Sequence, residues 1–143
     1  MSDLIIVDGD TVTFLPSFGV ATVVPVPTTI SGSAATTTVT NKAPALEGDE
    51  KNVEAKNCMY TTATYVTPGT GTLKIDKLNT DQLTQSTTIE GKKVILKGSQ
   101  FDAVFEVQSP AKSSSSPPVP DSTPKYSGGK GSFVPSNSVV FAA

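Results

Sequence analysis

Four groups of side chains in this sequence could do chemistry, and the spacing of each favours a structural role. The chain holds no histidine, so the commonest general base and metal ligand is missing, and neither a Ser-His-Asp nor a Cys-His device can be assembled. Cys58 is the one cysteine; beside Met59 in an alternating stretch it reads as a small buried residue rather than a nucleophile or ligand. Asp8-Gly9-Asp10 and Glu47-Gly48-Asp49-Glu50 gather carboxylates as a calcium site would. They lack the ligand spacing of a calcium loop, and Gly-Asp pairs suit turns. Pro68-Gly-Thr-Gly-Thr-Leu-Lys74 carries a fragment of a phosphate loop without its GxxxxGK[ST] spacing. Lys92, Lys93 and Lys97 flank a strand as solvated positions. No catalytic residue and no metal ligand set emerges, and we expect no enzyme.

The elements that hold these residues follow from composition. A chain of 143 residues with 11 Gly, 11 Pro and 20 threonines is biased towards strands and turns, because threonine is β-branched while Gly and Pro punctuate. The length suits one domain, and a hydrophobic content of 36% with 6% aromatic residues gives a modest core. A net charge of −2 offers no electrostatic case for nucleic acid or an anionic membrane. A single cysteine excludes an internal disulfide. Met1-Ser2-Asp3 opens on an acid, and no apolar run approaches the length of a membrane span, so we expect no signal peptide and synthesis in the cytoplasm.

Along the chain, DLIIVDGDTVTFL (3–15) reads as strand, Asp-Gly turn, strand. Pro25 and Pro27 cannot donate to a ladder and place the Val-rich stretch that follows at an edge or a strand entry. TISGSAATTTV (29–39) reads as a strand with narrow side chains, ending in a turn at Pro44 and Gly48-Asp49. CMYTTATYV alternates well, PGTG (68–71) reads as a turn, and Leu73, Ile75 and Leu78 resume the apolar series. TDQLTQS suits a short helix capped by Thr80. TTIEGKKVILKGSQFDAVFEV gives two strands around Gly98-Ser99. From about Gln108 the chain turns to Ser, Pro and Gly, the composition of a linker, so we divide it into a domain at 1–111, a linker at 112–132 and an apolar end at 133–143 that could dock as a strand. TTISGSAATTTV (28–39) and TTIEGKKVILKG (87–98) share Thr-Thr-Ile-X-Gly, at 28–32 and 87–91, followed by a strand, as if each opened one facet of a repeated scaffold.

The order Gly32-Ser33, Val39, Asn41, Lys42, Pro44, Ala45, Gly48, Asp49 resembles the repeat of PAAR proteins, in which a Gly-Ser turn and a Val/Ile strand lead to Asn, Lys, a Pro-Ala cluster and Gly-Asp. Gly9-Asp10-Thr11 resembles the opening of the same family. CMYTTATYVTPGTGTLKI and GKKVILKGSQFDAVFEVQSPA are similar to PAAR-like spike-tip proteins of extracellular contractile injection systems, such as antifeeding prophages and virulence cassettes. The likeness covers roughly residues 3–111. It departs where the Arg that usually follows Pro-Ala-Ala gives way to Leu46-Glu47.

The resemblance implies an all-β fold: a small cone of short strands and hairpins with pseudo-threefold symmetry, in which narrow Thr, Ala, Ser and Gly side chains fit between converging strands. It also implies a structural role, capping a trimeric VgrG-like spike with one tip per three spike chains and helping to pierce the target envelope. Asn41 and Lys42 are then candidate partner-binding residues, and Gly9, Asp10, Gly32, Ser33, Pro44, Gly48 and Asp49 are turn positions. PAAR proteins bind zinc through three His and one Cys; without His we expect no zinc and no other cofactor. Contact with the target membrane would be transient, no nucleic acid is expected, and the final location would be the tip of a released bacterial particle. Two rival readings are an adaptor whose Ser/Pro tail carries an effector, and a surface- or carbohydrate-binding β-domain; with no Trp and 3 Tyr the second lacks stacking aromatics.

Overall fold

The computed structural model describes residues 2–143 and bears out the all-β class. Among the described residues twelve strands follow in order: β1 (Asp3–Leu4), β2 (Thr11–Phe14), β3 (Ser17–Phe18), β4 (Ala21–Val23), β5 (Thr28–Thr29), β6 (Glu54–Thr62), β7 (Gly69–Lys77), β8 (Leu83–Ile89), β9 (Lys92–Ile95), β10 (Phe101–Ser109), β11 (Lys125–Val134) and β12 (Phe141–Ala142). Eight of them form one antiparallel sheet in the order β3-β4-β6-β7-β10-β11-β2-β5, and β1-β12 and β8-β9 form two small pairs.

Alternation decides which face of the large sheet is buried. Phe101, Ala103 and Phe105 of β10, Leu73 and Ile75 of β7, and Phe133 of β11 all point into the larger core. Tyr60 packs on Phe105 with ring centroids 5.1 Å apart, and Phe101 on Phe133 at 5.2 Å. Four strands separate β3 from β11 in the sheet order, yet the Phe18 ring lies against Gly129. The sheet therefore curls back on itself, and its inner face closes without a second full layer. Charged pairs, Lys74 with Glu106 and Lys130 with Asp102, run along the outer face.

Several local expectations change in the folded chain. The Asp8-Gly9 turn exists, but its flanks do not pair with each other: β1 joins β12, and β2 joins β11 and β5. Likewise β9 pairs with β8 and β10 with β7 and β11, so Gly98-Ser99 links two sheets. PGTG is no turn: Gly69 to Gly71 already lie in β7. The expected short helix is one 3-10 turn, Thr80–Gln82, and its cap is Asn79, whose side chain and that of Gln82 complete a capping box. Residues 31–38 form no strand at all.

The largest correction concerns the segment read as a linker, 112–132. Its second half is β11, which sits between β10 and β2 in the middle of the sheet. Its first half is tied down by a buried carboxylate: Asp121, 5% exposed, accepts hydrogen bonds from the hydroxyls of Tyr60 (2.8 Å) and Tyr126 (2.6 Å) and from the Thr123 N–H (2.9 Å). The Ala111 N–H donates to the Tyr60 hydroxyl at 3.0 Å. Burial raises the Asp121 carboxyl, but the bonds from Tyr126, Thr123 and Tyr60 outweigh it and hold the group below its ordinary range. Burial, chiefly, pushes Tyr60 up to about 12. Residues 133–143 dock on the chain itself, first as the end of β11 and then as β12 on β1.

Candidate functional site

Three short segments, 5–7, 44–46 and 94–96, meet at one end of the curled sheet and form a closed ring. The Ile6 N–H donates to the Ile95 carbonyl (3.0 Å), the Ile95 N–H to the Ala45 carbonyl (2.9 Å) and the Ala45 N–H to the Ile6 carbonyl (2.8 Å). Bridges pair Ile5 with Leu96, Pro44 with Val7, and Val94 with Leu46. In every case the residue before one ring centre pairs with the residue after the previous centre. The bonding rule thus repeats three times and ties the backbone of segments 5–7 and 44–46, which no named strand takes up, to the end of β9. Ile6, Ala45 and Ile95 are fully buried in the larger core, whereas Ile5, Val7, Leu46, Val94 and Leu96 belong to a second, smaller one. The ring is the partition between them.

The surroundings of each segment repeat as well. Three residues after each centre comes a glycine with positive φ: Gly9 at 86°, Gly48 at 106° and Gly98 at 52°, a conformation that a side chain would strain. In two of the corners the next residue is an aspartate that closes the turn: Asp10 accepts from the Val7 N–H and Asp49 from the Leu46 N–H, both at 2.8 Å. In the third, Ser99 takes that place and the Leu96 N–H donates to the Gln82 carbonyl at 2.9 Å. Three residues before two of the centres stand Lys42 and Lys92, each ending a tight hairpin. Thr40 and Asn41 (φ 51° and 67°) turn the first, Glu90 and Gly91 (φ 54° and 81°) the second. Positive φ at both central residues is the primed turn that matches strand twist. At the third place, before Ile6, the pair β1–β12 stands in for the hairpin, with Asp3 opposite Ala142.

The sequence-derived positions fall around this ring. Gly9, Asp10, Gly48 and Asp49 are its corners, and Pro44 is one of its members. Gly32 and Ser33 lie in the irregular stretch 31–38, which crosses all three units. Gly32 N–H donates to Asp8 (3.0 Å), Ser33 N–H to Asp49 (3.0 Å), and Ala35 N–H to Glu90 (2.7 Å). Narrow side chains are needed there because the loop is pressed on the ring, not because strands converge: a Cβ on Gly32 would stand 2.1 Å from the Ala43 carbonyl oxygen. Asn41 and Lys42 are exposed at a hairpin tip. Asp10 also accepts from the Ser136 N–H and hydroxyl, at 3.0 and 2.6 Å, which fastens the segment after β11 to the first corner. The echo between residues 28–32 and 87–91 is not a structural one: Thr28 and Thr29 edge the large sheet beside β2, while Thr88 and Ile89 pair with β9. The true repeat is IIVDGD, PALEGD and VILKGS, three apolar or Pro-Ala residues, a variable one, Gly, then Asp or Ser. It was visible in the letters but lay in another register.

A family model for contractile injection system spike tip proteins matches residues 1–143. The chain belongs to this family. No curated protein matches it. Membership associates this spike tip protein with the spike of an injection particle.

This spike tip holds no His, so the three His of the PAAR zinc site have no counterpart in its sequence. Cys58 is fully buried in the larger core, its Sγ donates to the Ala55 carbonyl at 3.4 Å, and burial pushes the thiol up, away from the thiolate a metal needs. The carboxylates at the ring, Asp8, Asp10, Asp49 and Glu90, are already occupied by backbone N–H groups. They serve as staples for loops. Among the described residues no helix is long and apolar enough to cross a membrane.

Proposed function

We propose that this protein is the structural cap of a trimeric VgrG-like spike, seated as one copy on three spike chains. The observation that carries the reading is the ring: a single chain can match a threefold surface only by presenting three like units, and the cyclic bonds among Ile6, Ala45 and Ile95 build such units from unlike sequence. The role is mechanical. A small body with two apolar cores and loops pinned by carboxylates passes contraction force to the target envelope and meets the membrane only in passing. It is made in the bacterial cytoplasm and ends at the point of a released particle. Neither a cofactor nor a catalytic residue is part of this role, and nucleic acid is no partner. The adaptor reading drew on a free Ser/Pro tail; residues 125–132 are instead built into the sheet, and the Ser/Pro run before them is a loop held at both ends, not a tail.

Mixing the purified chain with the spike protein of the same particle and weighing the complex by native mass spectrometry tests the proposal. One tip per three spike chains is expected. A stable trimer of the tip itself, or no affinity for the trimeric spike, would overturn it.

A further inference from the structure

We infer that the spike seats on the hairpin end of the molecule, so that the chain ends lie in the contact and the Ser/Pro loop at the opposite end points away from the spike. This rests on the proposed capping role. The ring has two sides. One is filled by Ile6, Ala45 and Ile95, which plug the end of the curled sheet. The other is covered only by the two hairpin tips, the β1–β12 pair and the loop 31–38 across them. That side is where the threefold pattern reaches solvent. The far end of the sheet offers no such pattern: its loops at 19–20, 63–67 and 110–124 differ in length and connection.

Exposure at the hairpin end agrees with a buried contact in the assembly. Thr40, Asn41, Lys42, Glu90, Gly91 and Lys92 are all exposed at the two tips. At the third place, Val139 is 69% and Phe141 54% exposed, an apolar pair beside the chain end, where the Ala143 carbonyl accepts from the Ser86 N–H and hydroxyl. The fitting partner is therefore the blunt end of a trimeric β-structured chain, which offers the same strand ends three times. The two hairpins meet it through polar tips and the terminal pair through Val139 and Phe141. The segment 113–119, held by the Ser113–Val119 bonds and largely exposed, stays outside the contact.

Two placements of one small folded domain test this, with binding to the purified trimeric spike as the readout and thermal melting as the check on folding. Fusion after Ala143 should weaken binding by at least about tenfold, a loss of roughly 1.4 kcal/mol, while insertion between Ser114 and Ser115 should leave it within about twofold. Point variants cover the case in which a fusion disturbs the fold. Phe141→Asp and Asn41→Trp should weaken binding, and Val119→Asp should not. A fusion at Ala143 that binds as well as the unmodified chain, or Val119→Asp weakening binding as much as Phe141→Asp, overturns the inference while leaving the capping role intact. Failure of the unmodified chain to bind overturns the capping role itself, and this inference with it.

Discussion

At the scale of single residues, the chain spends its acids on its own backbone. Asp121 accepts from two tyrosines and one N–H, and because its folded carboxyl titrates below the ordinary range it stabilises the native state. That contribution is complete above the ordinary carboxylate value of about 4 and disappears as the pH falls through the lower folded value. Tyr60 has the opposite sign. Its folded value is raised to about 12, so its contribution is whole below the ordinary value near 10 and is lost as the pH climbs through the folded one. Asp121→Asn should therefore cost about 1–3 kcal/mol at neutral pH and flatten the acid limb of a stability–pH curve measured by urea unfolding; an unchanged acid limb would contradict the assignment. The same occupation of carboxylates, with Cys58 buried and protonated, predicts that elemental analysis of dialysed protein finds well below one zinc per chain. A stoichiometric metal would overturn that expectation.

At the scale of elements, β11 is the instructive case. KYSGGKGSFV looks like flexible linker because Gly and Ser dominate it, yet its inward positions are Tyr126, Gly129, Gly131 and Phe133. The two glycines lie under the rings of Phe18 and Phe101, so large neighbours supply the apolar surface that the strand itself lacks. Lys125 and Lys130 consequently lie in a paired strand. Trypsin should leave both bonds intact in the native protein, and a broad-specificity protease should cut first within 113–119, where the backbone is exposed. Early cleavage at Lys125 or Lys130, read by mass spectrometry of the fragments, would restore the linker.

For the whole molecule, the ring explains how one chain of 143 residues acquires threefold character without three identical repeats. Two of the units have a closed hairpin, and in the third β1 and β12 stand side by side with Asp3 opposite Ala142. Joining Ala143 to Ser2 through a short Gly-rich turn and opening the chain between Thr40 and Asn41 should give a circular permutant with the same fold, since it exchanges one open unit for another. Its circular dichroism spectrum should match that of the parent and its melt should remain cooperative. A permutant that fails to fold would show that the units are not interchangeable.

The amino-acid sequence by itself determined the β class, the corners of the ring and the absence of an imidazole site, because these depend on residue type and on spacing within a few positions. Thr, Gly and Pro content favours strands and turns, and Gly9-Asp10 and Gly48-Asp49 each offer a residue that tolerates positive φ followed by a carboxylate that can close the turn. The order of residues from Gly32 to Asp49 likewise pointed to the spike tips. Partnership was decided only in three dimensions. Whether Asp8-Gly9 closes a hairpin, whether 31–38 is strand or loop, and whether Ser, Pro and Gly near the end stay free all depend on which distant groups are within reach of their backbone. Glu90 satisfies N–H groups more than fifty residues away. Asp121 needs Tyr60, sixty-one positions distant, before the end of the Ser/Pro loop can be anchored to the core. Such pairings carry no local signature, because any exposed carboxylate could make them and only the closed fold selects which one does.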